Sequence, residues 1–228
     1  MPVSPQLDRV WRLSIALPQE QLRGVALLMA IVLPTAAVLL LAESIGQHLP
    51  PLSREMTRHI ALMNVAAPVL AMASIHTGRL SAASGTVVAA ATIVQLASLI
   101  AFHTPVAIAA AHGSGPLHVI AQSILLLSAL VFWIAVLSQT GAERWRGILA
   151  LLVTGKVFCL LGAILTFAPR VLTGQILPAQ VLTAHAGGTL DDQHLAGVLM
   201  LAACPATYVL AGVVIAVRWI GELPGAER

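Results

Sequence analysis

Charge is scarce in this chain: 9% of its 228 residues are charged against 58% hydrophobic, and the mean hydropathy is +0.92. A soluble domain carries roughly 25% charged residues and a smaller apolar share, so a water-soluble globule is excluded. A disordered chain needs the opposite balance, and a nucleic-acid partner needs a dense basic face. The formal charge of +3 comes from twelve basic residues thinly spread, not from a patch. Cysteine is almost absent. Cys159 and Cys204 both lie inside apolar runs, which excludes a disulfide framework and a CxxC redox pair. There is no nucleophile–base pair and no phosphate loop, so the chain is not expected to be an enzyme.

Long apolar runs fill the chain instead, at residues 24–42, 59–75, 80–102, 118–138, 147–167 and 194–217. Each reaches or approaches the roughly 20 residues that cross about 30 Å of hydrocarbon at 1.5 Å per residue. Backbone groups in lipid must be satisfied internally, so the runs are helices and the fold class is all-α, a polytopic bundle of about six transmembrane helices. Pro68 predicts a kink in the short second span, with Pro34 and Pro205 doing the same in the first and sixth. The Ala- and Ser-rich third span, with Gly85, predicts a close-packed helix face. Residues 1–23 are too polar for a cleaved signal and read as an N-terminal segment, with Val10, Trp11, Leu13 and Ile15 beside Arg9 and Arg12 suited to an interfacial helix. Residues 24–218 are then the membrane domain and 219–228 a short tail.

Orientation follows from the arginines. With the N-terminus inside, the inner segments hold Arg9, Arg12, Arg23, Arg79, Arg144, Arg146, Arg218 and Arg228, and the outer ones only Arg54, Arg58 and Arg170. The positive-inside bias therefore predicts both termini inside. The longer connections, 43–58, 103–117 and 170–193, all fall outside, and the inner loops are tight.

Seven of the eight histidines (His48, His59, His103, His112, His118, His185 and His194) fall at outer loops or outer helix ends, with only His76 inside. Imidazole suits interfaces, which is one reading of that bias. The other is a metal or proton site on the outer face, since imidazole is the commonest copper and zinc ligand. Glu55, His59 and Met63 recur at i, i+4 and i+8, with Met56 three residues before His59, so a carboxylate, an imidazole and two thioethers share one helix face. The set suits copper, thioethers favouring Cu(I). The plain alternative makes Met63 core filler and pairs Glu55 with Arg54 or Arg58. His118 and Gln122 share a face at the start of the fourth span. The sixth opens Asp191-Asp192-Gln193-His194, where either aspartate suits a helix N-cap. The starts of the second, fourth and sixth spans are expected to be neighbours, with at least two of His59, His118 and His194 in one polar pocket. Lys156 is the one charge deep inside a span, and the sequence offers no acid at matching depth except Glu43 nearer an end.

Three stretches in this order, from Glu55 to Pro68, from His118 to Phe132-Trp133, and Asp192-Gln193-His194-Leu195-Ala196-Gly197 with Met200, resemble the CtaG family of assembly factors of caa-type cytochrome c oxidases. His59, Met63, Ala67 and Pro68 fit that family's His-x-x-x-His-x-x-x-Met and Ala-Pro pattern, with Glu55 in place of the first His. Gln122 stands for the second His of the next motif, and His194 for the second Gln of Asp-Gln-Gln-Leu-Ala-Gly. The resemblance implies a multi-pass protein of a bacterial inner membrane that handles copper at its outer, periplasmic face. Its partners would be cytochrome c oxidase subunits or assembly factors, besides the lipid bilayer. The residues expected to hold copper are His59, His118 and His194, then Met63, Asp192 and Glu55. A non-catalytic accessory subunit of a respiratory oxidase, with a degenerate metal site, is the alternative.

Overall fold

The computed structural model describes residues 19–76, 81–104, 106–107, 115–172 and 189–222. The expected interfacial helix around Trp11, together with His112, His185, Arg79 and Arg228, lies outside them. Among the described residues there is no strand, and six helices follow one another. They are α1 (Gln19–Gly46), α2 (Pro51–His76), α3 (Gly85–Phe102), α4 (Gly115–Leu137), α5 (Arg144–Phe167) and α6 (Leu190–Gly221). The last five are long and apolar enough to cross a membrane. In α1 the apolar stretch among the described residues, Val32–Gly46, is shorter than a span. The periphery is studded with exposed Leu, Val and Ile side chains, as lipid-facing surfaces are, and the chain is a multi-pass membrane protein.

The three prolines behave differently. Both α1 and α6 run on through Pro34 and Pro205. In α2 the turn before Pro68 widens into a π-helix over Ala61–Ala66. The Ala67 amide accordingly bonds to the Leu62 carbonyl, five residues back. That leaves the Met63 carbonyl without its α-helical donor, and Pro68, the five-back donor, has no N–H. Trp133 of α4 fills the vacancy, its Nε1–H donating to Met63 O at 2.9 Å. The π-turn and the tryptophan thus form one device, which links the second and fourth helices at the level of the core. Trp133 is also stacked on Tyr208 of α6 at 5.3 Å, with Phe132 and Phe158 beside that tyrosine. This buried aromatic cluster is the centre of the bundle.

Helix α3 turns Val88, Ala91, Thr92, Gln95 and Leu99 inward at helical spacing, whereas Ser81, Ala82, Ser84, Ala89 and Ala90 are exposed, so the small residues do not make the close-packed face expected of them. Helices α5 and α6 approach closely at Gly162 and Gly197. A Cβ on Gly197 would collide with Thr166 Oγ1 and stand 2.6 Å from the Thr166 amide nitrogen and 2.8 Å from Gly162 O, so this crossing requires glycine.

Candidate functional site

The N-terminal ends of α2, α4 and α6 meet at one end of the bundle, where α1 and α3 finish. Helix α2 enters through Pro50-Pro51 and brings no side-chain cap of its own, so its first amides need an outside acceptor. Asp192 of α6 supplies it. Its Oδ2 accepts from Leu52 N at 2.9 Å, and its Oδ1 from Ser53 N at 2.8 Å and Ser53 Oγ at 2.6 Å. The cap expected from Asp191 or Asp192 on α6 itself is instead Thr189, whose Oγ1 accepts from Asp192 N. Asp192 caps a neighbour, and both its oxygens are committed there.

Gln193, fully buried, does the corresponding work for α5. Its amide donates to Leu165 O and Arg170 O, each at 3.2 Å, and its oxygen accepts from Leu172 N at 2.7 Å. With Ala196 buried and Gly197 at the helix crossing, Asp192, Gln193, Ala196 and Gly197 dock α6 onto α2 and α5, while Leu195 is exposed. His194 turns its Nε2 toward Ala168 O at 3.4 Å. Neither His194 nor Asp192 joins the other expected ligands.

Those others do converge. The carboxylate of Glu55 is the hub: its Oε1 lies 3.3 Å from His59 Nε2 and 3.7 Å from His118 Nδ1. The Gln122 amide meets two of them, donating to Glu55 Oε1 and lying 3.0 Å from His59 Nε2. Two of the three expected imidazoles therefore share one polar cluster, as the arrangement of helix starts implied. The other oxygen, Oε2, accepts from Arg58 Nη1 at 3.1 Å, and Arg58 in turn grips Glu43 of α1 with two nitrogens. Arg54 donates to the carbonyls of Gly46, Gln47 and Leu49, where the dipole of α1 ends. The two arginines that ran against the charge bias at this end thus have structural work closing α1.

His103, the residue after α3, completes the cluster, and sequence reasoning did not place it there. Its ring meets that of His59 edge-on at 5.5 Å. Its Nδ1–H donates to Leu99 O at 2.7 Å, leaving the lone pair on Nε2, a buried atom with no partner. Burial, and then the neighbouring His59, push its pKa down to about 4, so it is neutral at ordinary pH. A neutral imidazole with one nitrogen held by a carbonyl and the other free is the form metal-ligating histidines take. The hint in the sequence was its place one residue beyond an apolar run, among the seven histidines at outer helix ends and loops. Met56 and Met63, by contrast, are each 1% exposed and belong to the hydrophobic core. The π-turn rotates positions beyond Ala61 relative to an unbroken α-helix.

Ligand atoms about 2.0–2.1 Å from one ion stand roughly 3–4 Å apart. The Glu55–His59 and Glu55–His118 separations, 3.3 and 3.7 Å, lie in that range. Among the described residues no group of three His, Cys, Asp or Glu side chains is set to hold an ion as it stands.

The model of one protein family, described as cytochrome c oxidase caa3 assembly factor (Caa3_CtaG), matches residues 9–222. No curated protein and no solved structure matches the chain.

Proposed function

Since the chain belongs to the cytochrome c oxidase caa3 assembly factor family, we propose that it handles copper for that assembly at the outer, periplasmic face of a bacterial inner membrane. Copper is the cargo here, and the role is binding and delivery, not catalysis. The observation that carries the reading is that His59 and His118, from two different helices, both meet the Glu55 carboxylate, with the ring of His103 edge-on to that of His59. Nitrogen and carboxylate donors suit Cu(II) better than Cu(I), and Met56 and Met63 are part of the hydrophobic core. The placement of Asp192 and His194 argues for dropping them from the expected ligand set. The arginine distribution supports the orientation.

Copper analysis of the purified full-length protein, loaded in either oxidation state and freed of excess ion, tests the reading. The expected result is bound copper that is retained by His194→Ala and lost in His59→Ala and His103→Ala. No retained copper in either oxidation state refutes it. A second reading, an accessory subunit whose metal site has degenerated, is favoured by one contact: the Gln122 amide already bonds to both Glu55 and His59. That reading expects no copper and a chain that stays with its oxidase through detergent extraction.

A further inference from the structure

Lys156 is the thirteenth of the 24 residues of α5, about 17 Å from either end at 1.5 Å per residue. The hydrocarbon half-thickness is about 15 Å, so its four-carbon stem does not carry the ammonium to either interface. The structure turns this side chain outward. Gly155 next to it faces Tyr208 of α6, and Thr154 and Phe158 are buried, whereas Lys156 is exposed. Leu149, Leu152, Val153, Leu160 and Ile164 are exposed with it at helical spacing, which makes an apolar stripe with one cation in its middle. Lys156 has no ion-pair partner among the described residues.

An uncompensated ammonium at mid-bilayer is costly, and natural spans keep one where a partner answers it. Lipid does not answer it, because phospholipid charge is confined to the headgroups. Nor does a second copy of this chain. Its nine acids are Asp8, Glu20, Glu43, Glu55, Glu143, Asp191, Asp192, Glu222 and Glu227, and none is in the central turns of a span. Beside the stripe, a groove of about 650 Å³ runs between α3 and α5, with Val88 and Ile93 on one wall and Leu149 and Val153 on the other. We propose that this face is a docking surface for a transmembrane helix of a different protein, one that carries an aspartate or glutamate at mid-depth to pair with Lys156. The apolar stripe and the groove take that helix's side chains, and the buried ion pair fixes its register and depth.

The test uses the full chain in the cells that make it, with a photoreactive phenylalanine analogue in place of Leu160 and, as the control face, in place of Leu210 of α6. The Leu160 probe is expected to yield a protein adduct within a transmembrane segment that has an acid in its central turns. Lys156→Met should reduce that adduct about tenfold or more, the scale on which losing one partner of a desolvated pair acts, and Lys156→Arg should preserve it. Exchanging the charges, with Lys156→Glu against lysine in the partner, should restore it. Thermal unfolding of Lys156→Met, expected at or above the parent midpoint, separates loss of docking from loss of folding. Labelling of lipid alone, an adduct with a second copy, an adduct helix lacking an acid, or an adduct indifferent to Lys156→Met each overturns the proposal.

Discussion

Replacing Trp133 by phenylalanine tests the link between the π-turn and the aromatic core. The substitution keeps a ring against Tyr208 and Phe132 but removes the one donor that meets the Met63 carbonyl. A buried carbonyl left unsatisfied costs about 1–3 kcal/mol, and the smaller ring adds a packing loss of about 1 kcal/mol. At about 2–4 °C per kcal/mol for a chain of this size, the unfolding midpoint in detergent should fall by several degrees. Modification of Cys204, which is 1% exposed, by a thiol-reactive dye is a suitable readout. The decisive measurement is the double-mutant cycle with Pro68→Ala. Restoring an N–H at position 68 lets the helix satisfy its own carbonyls, so the Met63 carbonyl no longer depends on the indole. Trp133→Phe should then cost about 1 kcal/mol less in the Pro68→Ala background than in the parent. Additivity within about 0.5 kcal/mol, the margin expected of independent sites, would refute the coupling.

Asp192→Ala should destabilise the protein by about 2 kcal/mol or more, since it strips the first turn of α2 of its acceptor. His194→Ala should cost under about 1 kcal/mol, its single bond being long; thermal unfolding of both variants checks the contrast. Gly197→Ala should cost more than about 2 kcal/mol, because a methyl 2.6 Å from the Thr166 amide nitrogen forces α5 and α6 apart. Gly221→Ala, where a Cβ meets nothing within 4 Å, is the neutral control. Folded His103 has its pKa held near 4 against 6.5 for an unperturbed histidine, so the unfolded chain binds the extra proton first. Stability should therefore fall as pH drops from about 6.5 toward 4, and His103→Gln should flatten that part of the profile measured by thermal unfolding.

The sequence by itself determined the solvent and, from it, the secondary structure. With 9% charge and apolar runs near span length, lipid is the medium, and a backbone in lipid must satisfy its own hydrogen bonds, which continuous apolar runs of this length do as helices and not as the alternating strands of a barrel. The i, i+4 spacing of Glu55 and His59 and the shared face of His118 and Gln122 needed only helix geometry, so that half of the site was legible. Partnership between helices was not, because it depends on which orphan groups meet across the bundle. Asp192 reads equally well as a cap for its own helix, a ligand, or a cap for another. Only the docking of α6 beside the uncapped, proline-led start of α2 made it the acceptor for Leu52 and Ser53. His103 is one histidine among several in the sequence, and it entered the cluster because α3 ends where α2 has brought His59. The motif residues Met63, Pro68 and Trp133 follow the same logic. A proline takes away a donor locally, and the donor that makes up for it is 70 residues away in sequence. That bond had to be found in three dimensions, because a hydrogen bond is set by distance in space and not by distance along the chain.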